Sequence, residues 1–299
     1  MEKIVFVINP IAGNRTQRDL KEKILKLIDH SFPEPYFFET GKQGEATVIV
    51  KEKVKEGIKK FVAVGGDGTV NEVARGLVNT EAAVGIIPTG SGNGLARHLG
   101  IPLSLPGAID FLRNARPVAV DYGILNGKPF FCTAGIGFDA MIGNEFSLLG
   151  KRGFFSYLRL ILARFISYTP QKYVIRINER EIRKDLFLVT FANSSQYGNK
   201  ASIAPQASIK DGLMDVTMLS PFPFYRALNI GIRLLTKTID SSKYVEIVKC
   251  KEVSVERESP GHVHLDGEPM ITGRHVDVKI IPGGLNILAK VEESNGRRV

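Results

Sequence analysis

The sequence predicts an α/β N-terminal domain built on a parallel sheet, followed by a β-rich C-terminal domain. Two observations predict the first domain. Short apolar runs alternate with segments of helical periodicity over about the first 120 residues, and glycine-rich turns follow two of those runs. Strands that alternate with helices are typical of a parallel sheet with helices on both faces. After Asp121 the pattern changes to a succession of short strands, which predicts the second domain.

The strands of the first domain are predicted from apolar runs separated by helical patterns. They are Ile4–Ile8, Tyr36–Glu39, Phe61–Val64 and Val84–Pro88, and a short helix at Leu105–Arg113 follows them. Ligands of such sheets bind at the carboxyl ends of the strands. The residues that fall at these ends are Asn9, Thr40, the Gly65–Thr69 loop and the Thr89–Asn93 loop.

We place the domain boundary near Tyr122, with domains at 1–122 and 123–299. The second domain is predicted to be largely antiparallel, with one of its strands running without a break over Glu181–Ala192. The last strand, Leu285–Lys290, either stays with this domain or returns to pack on the first.

Two helical stretches interrupt the predicted strands, at Gly153–Tyr168 and Phe224–Ile239. Each has an apolar face, and the second also carries Arg226, Arg233 and Lys237 along one side. An amphipathic helix of this kind is usually packed on a core. A basic face beside an apolar one also suits the surface of an anionic membrane. The sequence leaves both interpretations open.

The composition is that of a globular protein, with 43% hydrophobic and 24% charged residues among 299. No apolar run reaches the length of about 18 residues needed to span a bilayer. Two cysteines, Cys132 and Cys250, fit a reduced interior without disulfides, so we expect a cytoplasmic protein. The formal net charge of +9 suits a nucleic acid, an anionic membrane surface or a phosphorylated substrate. Because the motifs of nucleic-acid binders are missing, we predict no nucleic-acid partner.

The most informative segment is VGGDGTVNEVARGL at Val64–Leu77, where an apolar strand runs into a glycine-rich turn and then a helix. Glycines let the backbone come close to a bulky anion. The free N–H groups at the start of the following helix favour phosphate. Asp67 supplies a carboxylate for a phosphate-bound Mg²⁺. Glycines also serve a tight turn that binds nothing, but a second loop rich in Gly, Ser and Thr follows the next strand, which favours nucleotide binding.

Seven segments in order resemble the diacylglycerol kinase catalytic-domain family, which includes sphingosine, ceramide and bacterial lipid kinases. They are VINPIAGN (7–14), ETGKQGEA (39–46), VGGDGTVNEVARGL (64–77), IIPTGSGNGLARHLGIP (86–102), AGIGFDA (134–140), IAPQASIKDGLMDV (203–216) and HLDGEP (264–269). The GGDGT element is shared with NAD kinases and phosphofructokinases, and the continuation NEVARGL and the PTGSGNGLAR loop favour the lipid kinases. The resemblance implies a nucleotide-binding α/β domain like those of phosphofructokinase and NAD kinase, a β-rich lipid domain, and transfer of the γ-phosphate of ATP to a lipid hydroxyl.

Site residues follow from the resemblance. Asp67 is implied to act through Mg²⁺ beside the phosphates of ATP. The residues implied to bind the nucleotide are Asn9, Pro10, Gly13, Thr40, Gly65, Gly66, Asp67, Gly68, Thr69, Val70, Asn71, Glu72, Thr89, Gly90, Ser91, Gly92 and Asn93. Thr89 and Ser91 also fit a simpler role as hydroxyls that stabilise a turn. A second Mg²⁺, away from the chemistry, is implied at Ser208, Asp211 and Leu213.

The segment Asp266-Gly267-Glu268 places two carboxylates around one glycine in a predicted turn between strands. Carboxylates held close together raise one another's pKa, which suits a general base. Asp-Gly is also a common choice for an ordinary β-turn. The resemblance points to Glu268 as the proton acceptor and to Asp266 as the group that orients it or binds the metal. His262 and His264 precede this turn, and nothing at ligand spacing makes them a zinc site.

The function predicted is an ATP- and Mg²⁺-dependent kinase that phosphorylates a hydroxyl of a long-chain lipid, such as diacylglycerol or a sphingoid base, while bound peripherally to a membrane. Two alternatives stay open, an NAD kinase-like enzyme with a soluble substrate and a catalytically silent nucleotide-binding regulator. An exposed β edge could also pair two copies in a homodimer.

Overall fold

The computed structural model describes residues 2–10, 19–149, 154–198 and 201–290. The chain forms two compact units, one of Met1–Val120 with Gly283–Val299 and the other of Asp121–Pro282. Residues 283–290 therefore belong to the first unit, although they follow the second unit in the sequence.

The first unit alternates strands and helices. Its elements are β1 (Lys3–Ile8), α1 (Leu20–Leu27), β2 (Glu34–Glu39), α2 (Glu45–Lys55), β3 (Lys60–Gly65), α3 (Asp67–Leu77), β4 (Ala83–Pro88), α4 (Gly94–His98) and α5 (Leu105–Arg113). The strands pair in parallel in the order β2-β1-β3-β4. β1, β3 and β4 are buried almost throughout because helices cover both faces of a parallel sheet, which explains their continuous apolar runs.

The second unit is mostly antiparallel. The remaining elements of the chain are β5 (Arg116–Leu125), β6 (Lys128–Phe130), β7 (Thr133–Gly137), α6 (Phe138–Leu148), α7 (Phe154–Phe165), β8 (Gln171–Ile177), β9 (Arg180–Leu186), β10 (Leu188–Ala192), β11 (Gln196–Gly198), β12 (Ala201–Ser202), β13 (Met214–Leu219), α8 (Ala227–Leu235), β14 (Val245–Cys250), β15 (Glu252–Arg257), β16 (Gly261–Leu265), β17 (Glu268–Thr272) and β18 (His275–Ala289). The end of β18, at Asn286 and Ile287, pairs in parallel with β4 within the first unit.

Two sheets of the second unit enclose one apolar core. One sheet has the order β14-β13-β10-β7-β16-β17, and the other contains β9, β8, β15 and the first part of β18. Side chains of both, such as Phe191 of β10 and Val255 of β15, are fully buried in that core. The predicted fold class, a parallel α/β domain and a β-rich domain, is confirmed, and the β-rich part is a sandwich.

The single strand predicted over Glu181–Ala192 is wrong. The chain leaves β9 at Leu186, and β10 begins at Leu188 in the opposite sheet. Phe187 stands at the break, and its ring packs against Phe138 with ring centroids 4.5 Å apart. The alternating pattern does not reveal the break because both strands bury apolar residues in the same core.

The second predicted helical stretch, Phe224–Ile239, is shorter in the structure. A 3₁₀ turn covers Phe224–Arg226, and α8 ends at Leu235. Within the described parts of the chain, no helix is both long enough and apolar enough to cross a bilayer.

Candidate functional site

The carboxyl ends of four parallel strands form the first part of the candidate site. The N–H of Asn9, just after β1, donates to the carbonyl of Val64 in β3 at 3.0 Å. The N–H of Thr89, just after β4, donates to the carbonyl of Gly65 at 2.8 Å. Thr40 directly follows β2, at the same edge. The structure therefore brings together at one edge residues that lie far apart in the sequence.

Both glycine-rich loops meet at this edge through their backbones. A Cβ atom built on Gly90 would lie 2.5 Å from the Cα of Gly66, closer than real contacts allow. The side chain of Asn93 fixes the second loop, because its Oδ1 accepts from the N–H of Gly90 at 3.1 Å and its Nδ2 donates to the Gly90 carbonyl at 2.7 Å. Glycine is needed at this crossing because any side chain would force the loops apart.

The carboxylate of Asp67 ties the two loops together. Its Oδ2 accepts from the N–H of Asn93 at 2.8 Å, and its Oδ1 accepts from the N–H of Gly94 at 2.6 Å. Gly92 leaves the space for this contact, since a Cβ there would lie 2.5 Å from Oδ2. Each carboxylate oxygen has a further lone pair, so Asp67 fits an additional Mg²⁺ contact beside a bound phosphate.

Several groups at the edge are suited to bind a phosphate. Gly66 precedes the first turn of α3, so the N–H groups of Gly68 and Thr69 have no carbonyl to bond within the helix. The buried Oγ1 of Thr89 and Nδ2 of Asn71 find no hydrogen-bond partner among the described residues. Buried polar atoms ordinarily have partners, and a bound nucleotide would supply them. The residues present therefore fit ATP.

Arg97 is a residue that the sequence reasoning missed. A cleft of about 330 Å³ opens beside Thr89 and is lined also by Asn93 and Arg97. The guanidinium Nε of Arg97 donates to the carbonyl of Gly92 at 2.9 Å, which holds the cation at the cleft. Its signal in the sequence is its place in α4, a few residues after the second loop.

Other predicted nucleotide residues have different positions. Glu72 turns away from the loops, since its two carboxylate oxygens accept from the N–H of Gly44 at 2.8 Å and of Ala46 at 3.2 Å, at the start of α2. Val70 is buried, while Ser91 is exposed. The predicted residue Pro10 follows Asn9 directly, and Gly13 lies outside the described residues.

The turn Asp266-Gly267 forms a two-residue hairpin between β16 and β17, with Leu265 paired to Glu268. Both turn residues have positive φ, 52° and 84°, the conformation that favours Asp-Gly in tight hairpins. The β-turn interpretation is therefore correct as local structure, and it leaves the chemical role of the carboxylates open. Glu268 is half-buried at the first position of β17.

Asp266 binds the backbone just ahead of β7. Its Oδ2 accepts from the N–H of Phe131 at 2.8 Å, and its Oδ1 accepts from Cys132 at 2.7 Å and Thr133 at 2.9 Å. Burial raises the pKa of Asp266 to about 6, although these three N–H groups and His264 act to lower it. Its carboxylate is thus committed to holding the turn.

A buried histidine–aspartate pair lies directly behind the hairpin. The Nε2 of His264 is 3.1 Å from Oδ2 of Asp139, and both side chains are 7% exposed. The N–H of Gly267 donates to Nδ1 of His264 at 3.4 Å, and the tautomer that matches this contact has its hydrogen on Nε2, from where the ring donates a hydrogen bond to Asp139. A Cβ on Gly135 would lie within 2.5 Å of both side chains, so glycine makes room for the pair. The sequence reasoning missed this pair because its members are 125 residues apart.

The predicted metal site at Ser208, Asp211 and Leu213 contains oxygen donors of the kind that Mg²⁺ prefers. However, Oδ1 of Asp211 accepts from the N–H of Leu213 at 3.1 Å, and Oδ2 is 2.7 Å from the ammonium of Lys249. Partial burial would lower the pKa of Lys249, but the hydrogen bond to Asp211 and the charge of Asp215 raise it. Both oxygens of Asp211 thus already have partners, and the Mg²⁺ site stays a prediction. In the described residues, no three His, Cys, Asp or Glu side chains are grouped to hold a metal.

Comparisons with known proteins assign both parts of the chain to known domain families. Residues 3–125 match the model of the diacylglycerol kinase catalytic domain, and residues 133–289 match the YegS C-terminal NAD kinase beta sandwich-like domain. A protein of Chromohalobacter salexigens named "Probable lipid kinase YegS-like" is 32% identical over 84% of this chain and 82% of its own length. A protein of the same name from Enterobacter sp. is 28% identical and covers 95% of both chains.

Solved structures share the fold. A diacylglycerol kinase from Bacillus anthracis superposes with a TM-score of 0.73 at 22% identity, over 96% of this chain and 97% of that one. An NAD kinase from Archaeoglobus fulgidus in complex with ATP superposes with a TM-score of 0.51 at 12% identity, over 97% of this chain and 94% of that one. The two matched domains and the curated relatives together show that the chain belongs to the YegS-like kinase family, built from a diacylglycerol kinase catalytic domain and a YegS-type β-sandwich.

Proposed function

We propose that this protein is an ATP- and Mg²⁺-dependent kinase that transfers the γ-phosphate of ATP to a hydroxyl group of a long-chain lipid. The observation that carries the nucleotide part is the backbone crossing of the two glycine-rich loops, with Asp67 bonded to both Asn93 and Gly94. The lipid acceptor is supported by the relatives named as lipid kinases.

Phosphoryl transfer needs positioning and charge neutralisation more than covalent chemistry. The N–H groups at the start of α3 and the hydroxyl of Thr89 bind and orient the phosphates of ATP. Arg97 adds a cation beside the same cleft. Mg²⁺, when bound through Asp67, neutralises the charge of the phosphate oxygens.

The acceptor hydroxyl must lose a proton as it attacks the γ-phosphorus, and we assign this proton to a carboxylate of Glu268. We choose Glu268 because the resemblance to the kinase family points to it, and we give Asp266 a structural role because its carboxylate accepts three backbone N–H groups. Asp266 and the His264–Asp139 pair then act as positioning residues that fix the hairpin from which Glu268 projects.

A transfer assay with radiolabelled ATP tests the proposal. The acceptors are dispersed diacylglycerol, a sphingoid base, ceramide and phosphatidylglycerol, with NAD and a sample without acceptor beside them. We expect the wild type to form a labelled organic-phase product only when Mg²⁺ is present. We expect Glu268→Gln not to form this product. Label on NAD would favour the soluble-substrate kinase, and ATP binding without any transfer would favour the regulatory protein.

A further inference from the structure

Helix α8 exposes apolar side chains to solvent. Ile230 is buried, and Leu234 packs on the core beneath it. On the other side, Leu228 is 76% exposed, Ile232 49% and Leu235 56%. A surface helix ordinarily turns its apolar side inward and carries polar residues outside. A helix that is apolar on its outer face as well normally contacts a second apolar phase.

A ring contact joins the turn before α8 to helix α7. The ring of Phe224, just before α8, lies 5.6 Å from that of Phe165 in α7, measured between ring centroids. Leu158 and Leu162 are exposed one turn apart on α7, and Ile166 is exposed just after the helix ends. We call the whole surface the apolar patch, and its members are Leu158, Leu162, Ile166, Phe224, Tyr225, Leu228, Ile232 and Leu235.

The patch carries positive charge. No acidic residue occurs in α7 or between Leu219 and Ile239, whereas Arg226, Arg233 and Lys237 fall within the second segment. The guanidinium of Arg226 lies over the ring of Tyr225 at 5.4 Å, which keeps the cation beside exposed apolar area.

The positive charge of the patch indicates which kind of partner it binds. In a symmetric dimer the same surface would face itself, so the arginines and lysines of one copy would oppose those of the other. A partner that is both apolar and anionic has the opposite, complementary character. A bilayer with anionic headgroups above its acyl chains meets both requirements.

We propose that the apolar patch is the surface through which this protein docks on anionic membranes. The apolar side chains of α7 and α8 enter the boundary between headgroups and acyl chains, while Arg226 and Lys237 contact the headgroups. This inference rests on the proposed function, since a kinase of long-chain lipids must reach an acceptor held in a bilayer.

Binding of the full chain to vesicles, measured by flotation without ATP, tests the proposal. The vesicles are phosphatidylcholine alone and an equimolar mixture of phosphatidylcholine and phosphatidylserine. One variant combines Leu228→Gln with Ile232→Gln, and another combines Arg226→Glu with Lys237→Glu. Each lost cation is expected to weaken binding about fivefold, so the charge variant should bind the mixed vesicles at least about 25-fold more weakly.

Matched controls carry the same changes elsewhere. Leu25 and Val48 are exposed aliphatic residues in the first unit, so Leu25→Gln with Val48→Gln controls for the loss of apolar area. Lys51 and Lys55 are exposed in α2, and reversing both controls for the change in net charge. All altered side chains are exposed, and circular dichroism verifies that each variant is folded.

We expect the wild type to prefer the mixed vesicles, both patch variants to lose binding, and both controls to keep it. The proposal is overturned if the patch variants bind vesicles like the wild type, or if the wild type binds both kinds of vesicle equally. It is also overturned if the only effect of the patch variants is to dissociate a dimer. The outcome is separable from kinase activity. A protein that docks but phosphorylates no lipid refutes the proposed function alone, and normal docking of the variants by an active lipid kinase refutes the patch alone.

Discussion

A single methyl group at Gly90 tests whether the two glycine-rich loops form a phosphate site. An ideal Cβ there would lie 2.5 Å from the Cα of Gly66 and 3.1 Å from Oδ1 of Asn93. Carbon atoms in contact are about 3.5–4.0 Å apart, so the loops must separate by about 1 Å. Because the obstacle is backbone, no side chain can swing away to relieve the contact.

The displacement sets the expected magnitudes. Overpacking by about one carbon costs about 1–3 kcal/mol, a moderate part of the stability of a domain. A shift of about 1 Å in the groups that position a substrate can lower turnover about 100-fold. We therefore expect Gly90→Ala to stay folded, to bind ATP at least about tenfold more weakly, and to turn over about 100-fold more slowly.

Calorimetric titration with ATP and thermal unfolding measure the two effects. Gly143→Ala is the matched control, because it lies within α6 with nothing within 4 Å of a Cβ. In a helix this change should stabilise the protein by about 0.5–1 kcal/mol and leave ATP binding unchanged. If Gly90→Ala binds ATP as tightly as the wild type, the loop crossing is not part of a phosphate site.

Four further predictions address the rest of the site. Asp67→Ala removes the acceptor that joins the two loops, so turnover should be lost, and near-normal turnover in a kinase assay would refute its role. Glu268→Gln should lower kcat about 100-fold or more while ATP affinity stays unchanged, as for loss of a general base. The reverse pattern, weaker ATP binding with kcat preserved, would contradict that assignment. His264→Phe leaves the Gly267 N–H and the Asp139 carboxylate without this partner, which should cost about 1–3 kcal/mol in denaturant unfolding and lower kcat. Combined with Asp139→Asn, it should cost less than the sum of the two single changes, and additive effects would show that they do not act as a pair. Mg²⁺ should raise the thermal unfolding midpoint of the wild type and not of Asp211→Asn, provided that it binds Asp211 in the folded protein. An equal rise in both proteins would place the ion elsewhere.

Much of the fold could be predicted because it depends on local pattern. The buried strands β3 and β4 are short apolar runs, and each is followed by a turn whose glycines are visible in the sequence. The rule that ligands bind at the carboxyl ends of parallel strands then placed Thr40 and Thr89 at one edge.

Features that depend on distant residues could not be predicted. The pairing of His264 with Asp139 joins β16 to α6, and nothing in the sequence around either residue specifies the other. Glu72 lies close to the first glycine-rich loop in the sequence, yet its carboxylate accepts hydrogen bonds from N–H groups at the start of α2. The contact between the ammonium of Lys249, in β14, and the carboxylate of Asp211 likewise joins residues that are distant in the sequence.

The outward face of α8 was left undecided for a different reason. Periodicity shows that Leu228, Ile232 and Leu235 share one side of a helix, but it cannot show whether that side is covered. The structure decides this through Ile230 and Leu234, which pack inward and leave the other three exposed.

The central claim is phosphoryl transfer to a lipid, and a competition assay tests it most directly. The full chain receives radiolabelled ATP, Mg²⁺, diacylglycerol in mixed phosphatidylcholine and phosphatidylserine vesicles, and NAD in the same tube, beside a Glu268→Gln sample. We predict label in the organic phase from the wild type alone. Label in the aqueous phase on NAD, or organic-phase label of equal amount from Glu268→Gln, would contradict the account.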